Sequence, residues 1–123
     1  MKLSDRMNHP PTAILIVDDD TRRHWIVQDK VRPKPTAVFH AYNAQDGIRY
    51  LLANRRKLAR VFLDFDLEPL LGPTGLDVAR YMIDHNIRIP VTVISQNPLG
   101  SIAIVGELRL AGFKVDRHPI VIL

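Results

Sequence analysis

Cysteine is absent from the 123 residues, which excludes disulfides and every thiolate metal site. Long apolar runs are absent too. No stretch approaches the ~20 residues that span a bilayer, so no membrane partner is expected. The opening MKLSDRMNHPPT lacks the apolar centre of a secretory signal, and a cytoplasmic protein is the resulting expectation. No internal repeat or low-complexity segment stands out. What remains is ordinary for one soluble domain: 46% apolar and 24% charged residues. The formal charge of +4 and the pI of about 9.8 point to a nucleic-acid partner only if the basic residues cluster.

Residues 1–11 are polar, stop at Pro10-Pro11, and read as a flexible leader to a single domain over 12–123. Ala13 to Val17 is a β-branched apolar run, as in a strand buried on both faces. Thr21 is the expected cap of a helix running through Trp25, Ile26 and Val27 to about Val31. Ala37 to His40 reads as a second strand. Asn43 then caps a helix with Ala44, Ile48, Leu51 and Leu52 on one face. Arg60 to Leu63 is a third strand. Thr74 or Gly75 opens a helix to about His85, with Leu76, Ala79, Met82 and Ile83 inward. Val91 to Ile94 is a fourth strand. Asn97-Pro98 starts a helix that Ala111-Gly112 ends, and Phe113 to Asp116 is a fifth strand. Strands and helices therefore alternate, which predicts a parallel α/β sheet covered on both faces. In such sheets ligands bind beyond the carboxyl ends of the strands.

Three of those ends carry polar groups. The first strand ends in Asp18-Asp19-Asp20, the third in Asp64-Phe65-Asp66, the fourth in Ser95-Gln96-Asn97. Neighbouring carboxylates repel unless a cation sits among them. An oxygen-rich, thiol-free pocket suits Mg²⁺ or Mn²⁺, which would recruit a phosphoryl group within reach of Ser95. Arg22 and Arg23 lie beside this rim, where one could pair with Asp20 or reach a phosphate; a surface ion pair is the simpler expectation. Trp25 reads as a packing residue on its helix. His24, His40 and His85 read as surface or strand-end residues. Phe65, between two acids, reads most simply as packing, with a roof over the pocket or a platform for a stacked base as the alternative. Two basic clusters, Lys30, Arg32, Lys34 and Arg55, Arg56, Lys57, Arg60, follow helix C-termini at the opposite edge. Helix-dipole complementation and solubility are the simpler account of them and an electrostatic patch for RNA, DNA or an acidic protein is the alternative; no interleaved aromatic residue supports base stacking there.

From Ala13 to Pro119 these residues resemble the receiver domain of bacterial response regulators. The resemblance implies a flavodoxin-like (CheY-like) fold, a five-stranded parallel sheet in the order 2-1-3-4-5. It also implies an acidic pair at Asp18 and Asp19 and a phosphoacceptor at Asp64. A metal-binding carbonyl falls at Asp66, a hydroxyl at Ser95, and Mg²⁺-dependent phosphorylation of Asp64 would follow. Receivers carry a lysine before the proline after the fifth strand; His118-Pro119 stands there and would be charged only when protonated. The loop from Asp64 to Gly75 is longer than usual, and the fifth helix of receivers is missing. The pattern Leu63-Asp64-Phe65-Asp66-Leu67, Thr74-Gly75 and Ser95-Gln96-Asn97-Pro98-Leu99-Gly100 is similar in more detail to the cyclic-phosphate-processing receiver-like domains. Members of that branch typically have histidines where Phe65 and Ile94 stand, and those would be the natural acid and base.

Three functions stay open on this reading. The first is a stand-alone signalling receiver. Its metal ligands are Asp19, Asp64 and the Asp66 carbonyl, with Asp18 acting through water. Ser95 and His118 face a phosphoryl group delivered by a partner histidine kinase, and Asn97 and Arg22 are further phosphate contacts. The second is a domain that binds or hydrolyses a nucleotide or RNA phosphate. The third is an inert interaction module on the receiver fold.

Overall fold

The computed structural model describes residues 10–122, so most of the expected leader lies outside the described residues. Five strands are present: β1 (Ala13–Val17), β2 (Val38–Ala41), β3 (Leu58–Leu63), β4 (Val91–Val93) and β5 (Val115–Arg117). Four helices connect them: α1 (Thr21–Lys30), α2 (Ala44–Asn54), α3 (Gly75–Asp84) and α4 (Pro98–Leu110). All strand pairs are parallel, and the order is β2-β1-β3-β4-β5. The flavodoxin-like expectation holds. Because the sheet is parallel, its carboxyl ends lie on one edge, and Val17, Leu63 and Val93 stand side by side in register.

The strand side chains alternate between two cores of unequal size. Leu15, Val17, Val61 and Leu63 point into the larger one, with Leu51, Met82, Ile104 and Leu108 from the helices. Ile14, Ile16, Val27 and Ile94 form the smaller one. After β5 the chain has no further helix among the described residues. It runs extended beside β4, with His118 N–H donating to Val93 O at 2.8 Å and Ile120 N–H to Ile94 O at 3.1 Å. An open groove of about 420 Å³, lined by Val27, Val31, Phe62, Ile94, His118 and Ile120 among others, remains on that face.

Helix starts follow local chemistry. Thr74 and Asp77 make a reciprocal capping box on α3, and Asn97 caps α4 ahead of Pro98. Asn43 caps α2 as expected. On α1 the cap is Asp20 rather than Thr21, its carboxylate accepting from Arg22 N–H at 2.9 Å. The rotational setting of α1 also corrects the sequence reading. Its inward residues are Arg23, His24 and Val27, which turns Trp25 to solvent at 69% exposure. Trp25 is therefore no packing residue, and it lines a surface hollow with Arg32 and Lys34. An aromatic group does accompany that basic cluster. On α2, Gly47 centres the buried face against Val17, and Leu52 is half-exposed. Arg60 leaves the second cluster as well: its guanidinium donates to Thr92 Oγ1 at 2.9 Å and lies 3.5 Å from Asp116.

Candidate functional site

The register brings the acids together. Asp18 and Asp64 directly follow the paired residues Val17 and Leu63, and Asp64 N–H donates to Val17 O at 2.9 Å. Both carboxylates are buried, Asp19 is half-buried, and one oxygen from each of the three lies within 4.8 Å of the others. Burial, then the neighbouring Asp18 charge, pushes the Asp64 carboxyl up to about 7. Burial likewise raises Asp18, against the opposing pull of Arg23. Ser95 is buried beside Asp64, and hydrogen bonding from its hydroxyl favours the ionised form. The same Oγ accepts from Asn97 N–H at 3.1 Å.

A cation does sit among the carboxylates, and the chain supplies it. The Arg23 guanidinium enters from α1, and the residue as a whole is only 8% exposed. Its Nε donates to Asp18 Oδ2 at 2.6 Å and its Nη1 to Gln96 Oε1 at 3.0 Å. Its Nη2 lies 3.5 Å from Asp64 Oδ2 and 3.6 Å from Asp19 Oδ1. The expectation of a surface ion pair is met by Arg22 instead, which grips Asp20 at 3.1 and 2.8 Å and holds that carboxyl down at about 2. Arg23 follows the capped start of α1 and faces back over the strand ends.

A second feature that sequence reasoning missed lies beneath Asp18. His24 is completely buried, not a surface residue. Its Nε2 lies 2.8 Å from Asp18 O, and its Nδ1 lies 2.8 Å from His40 Nδ1. A carbonyl only accepts, so His24 carries its proton on Nε2; His40 then donates through Nδ1. The Tyr42 ring stacks on His24 with centroids 4.4 Å apart. Burial holds both imidazoles below their ordinary pKa, which keeps the pair neutral. Its effect is to fix the Asp18 backbone.

Two glycines set the opposite wall. Gly75 N–H donates to Phe65 O at 2.8 Å, and a Cβ on Gly75 would lie 1.9 Å from Asp64 O. A Cβ on Gly100 would lie 2.3 Å from the Phe65 ring. Phe65 is thus packed over the start of α4, the simplest of its expected roles.

The remaining expected site residues stand apart from this cluster. The exposed Asp66 carboxylate lies outside it, which leaves the backbone carbonyl as the contribution expected of that residue. Asn97 Oδ1 is committed to Gly100 N–H at 3.0 Å. His118 is exposed at the mouth of the apolar groove, and among the described residues no hydrogen bond or ion pair joins it to the acids.

A parallel sheet of this order, with buried acids at its carboxyl edge, defines a receiver-like domain. Solved structures agree on the fold. A Vibrio parahaemolyticus signal receiver domain is 22% identical, covering 90% of this chain and 81% of its own, with a TM-score of 0.66. CheY of Borrelia burgdorferi, crystallised as a CheX-CheY-BeF3-Mg complex, is 17% identical over 91% and 81% with a TM-score of 0.69. A response regulator receiver domain protein of Clostridium thermocellum is 18% identical over 89% and 84% with a TM-score of 0.67. No curated protein matches the chain. Within this fold, the cyclic-phosphate processing receiver domain family matches residues 13–110, and the chain belongs to that family.

Proposed function

We propose that this domain is a signalling receiver that takes a phosphoryl group on Asp64 with a divalent cation, Mg²⁺ or Mn²⁺, in the acidic pocket. The observation that supports it most is the convergence of Asp18, Asp19 and Asp64 in a largely buried site. The donor set fits the ion: all three are hard oxygen donors, and burial raises the affinity of Asp18 and Asp64 for a positive partner. Three carboxylates against one guanidinium leave negative charge over when all are ionised. Asp19, Asp64 and the Asp66 carbonyl would hold the ion, with Asp18 assisting through water. When bound, it would neutralise the carboxylates and the phosphoryl oxygens facing them.

The chain's own residues do the rest. Asp64 must be ionised to react, and the Ser95 hydroxyl beside it favours that form. One Asp64 oxygen attacks phosphorus while the bond to the donor's leaving group breaks and that group keeps the electron pair. Ser95, buried beside Asp64, is placed to donate to the arriving oxygens. Arg22 is free to turn from Asp20 to a phosphate, and His118 would contribute charge only when protonated. A histidine kinase is the fitting donor protein. Incubation with Mg²⁺ and a small phosphodonor should add one phosphoryl mass to the wild type and none to Asp64→Asn. No gain in a protein shown to bind Mg²⁺ would reject phosphoacceptance.

The family's name, cyclic-phosphate processing, motivates a second reading, in which a nucleotide or RNA phosphate is bound or hydrolysed at the same pocket. Phe65 and Ile94 are both apolar and leave it without a general acid or base at those positions. Binding without turnover is therefore the form this chain supports. Titration with cyclic nucleotides in the presence of Mg²⁺ tests it, and absence of binding rejects it.

A further inference from the structure

We infer that Arg23 is a built-in competitor of the divalent cation, so that the ion enters this pocket only by exchange for the guanidinium. The inference rests on the metal-site reading above and concerns the control of that site.

The geometry carries it. Arg23 bonds the same carboxylates that a cation would use: Asp18 Oδ2 at 2.6 Å, Asp64 Oδ2 at 3.5 Å and Asp19 Oδ1 at 3.6 Å. A cation shared by these three oxygens would lie within a few ångströms of the guanidinium, and two positive charges that close repel strongly in a site this buried. The two occupants are therefore mutually exclusive. Arginine suits the role because it is never deprotonated and its planar fork reaches several carboxylates at once. It cannot vacate the pocket by losing its charge; it must swing out.

The exit is visible. Gln96 is exposed, and its Oε1 is the one neutral acceptor of the guanidinium, at 3.0 Å from Nη1. Rotation of Gln96 and Arg23 opens the pocket without moving the strand ends, because the Asp18 carbonyl is held by His24 and the Asp64 N–H by Val17 O. Arg23 Nη2 also lies 3.5 Å from Asp64 Oδ2, close enough to obstruct a phosphoryl donor approaching that carboxylate. Release of Arg23 thus precedes both metal binding and reaction at Asp64. Apparent metal affinity is reduced by the fraction of molecules with Arg23 out.

The test is Mn²⁺ affinity, measured calorimetrically and by the loss of free-ion paramagnetic resonance, on wild type, Arg23→Gln, Gln96→Ala and Asp64→Asn. Arg23→Gln should tighten Mn²⁺ by about tenfold or more, corresponding to an Arg-in population of ~90% in the wild type. Gln96→Ala should tighten it by a smaller factor. Mg²⁺ should shift the Arg23 Nε–H resonance of the wild type away from its Asp18-bonded position. Equal or weaker Mn²⁺ binding by Arg23→Gln, with the wild type binding and Asp64→Asn impaired, overturns the inference and leaves the metal site standing. If no variant binds, both fall, and Arg23 is a permanent substitute for the ion. Should Arg23→Gln fail to fold, Gln96→Ala decides, since its side chain is exposed; unchanged affinity there overturns the inference.

Discussion

Gly75→Ala tests the architecture of the pocket with one methyl group. The added Cβ would lie 1.9 Å from Asp64 O, 2.9 Å from Asp64 C and 3.1 Å from Phe65 Cα. A carbon–oxygen contact needs ~3.3 Å, so the two backbones must part by more than about 1 Å. The obstacle is main chain on both sides and cannot be relieved by a rotamer change. Overpacking of that kind costs up to ~3 kcal/mol, and parting also stretches the 2.8 Å bond from Gly75 N–H to Phe65 O, worth about 1 kcal/mol. The helix-propensity gain of alanine returns less than ~1 kcal/mol at the first residue of α3. The net loss is about 3 kcal/mol, a fall in Tm of roughly 10 °C for a domain of this size. Gly106→Ala is the matched control. It lies inside α4, nothing stands within 4 Å of its added Cβ, and it should gain ~0.5–1 kcal/mol. Urea unfolding of both variants, analysed with the wild-type slope, gives the two values. A Gly75→Ala protein within ~0.5 kcal/mol of wild type would refute the claim that this contact locks the Asp64 backbone.

The pH dependence of stability has two opposed parts. Asp18 and Asp64 are raised from 3.8 to about 6 and about 7, so their contribution is complete below the unfolded value and is lost as pH rises through 6 and 7. His24 and His40 are depressed from 6.5, so theirs is present above that value and lost as pH falls below it. Urea midpoints taken without divalent ions should therefore decline as pH rises from about 4 to 7, with the histidines opposing the decline below 6.5, and level off above about 7; Asp64→Asn should flatten the decline, and parallel slopes would remove Asp64 as its source. His24→Ala should cost about 3 kcal/mol, from the cavity and from the unpaired Asp18 carbonyl and His40 N–H, with a loss under ~1 kcal/mol contradicting the structural role of the pair.

The fold was legible in the sequence because each signal was local. AILIV at 13–17 is apolar throughout, Asn43, Thr74 and Asn97 cap the helices they precede, and Pro98 sits in a first turn. The meeting of Asp18 with Asp64 was legible too, since parallel strands end on one edge. What escaped were the residues whose direction depends on helix rotation. α1 carries only Val27 as a buried apolar residue, so hydrophobic periodicity could not show that Arg23 and His24 turn inward and Trp25 outward. Its inward face is set by polar bonds to Asp18, which pattern reading treats as surface. Arg60 escaped for a related reason: its partner Asp116 is distant in sequence and meets it only across two strands.

The pocket divides its parts into fixed and exchangeable ones. Asp18 is held through its backbone by the His24 imidazole, Asp64 by the β1 ladder and by Gly75, and the start of α4 by Phe65 against Gly100. None of these supports uses a carboxylate oxygen facing the pocket. Asp18 Oδ1 accepts from Asp20 N–H at 2.8 Å, while Asp18 Oδ2, Asp64 Oδ2 and Asp19 Oδ1 all meet one long side chain, Arg23, whose partner Gln96 is exposed. A rigid anionic frame with an internal guanidinium has part of its charge compensated without an added ion. It is still under-compensated, because one guanidinium meets three carboxylates. On the metal-site reading proposed above, the same arrangement that lets two aspartates end buried strands would leave the domain responsive to a divalent cation that reaches the edge.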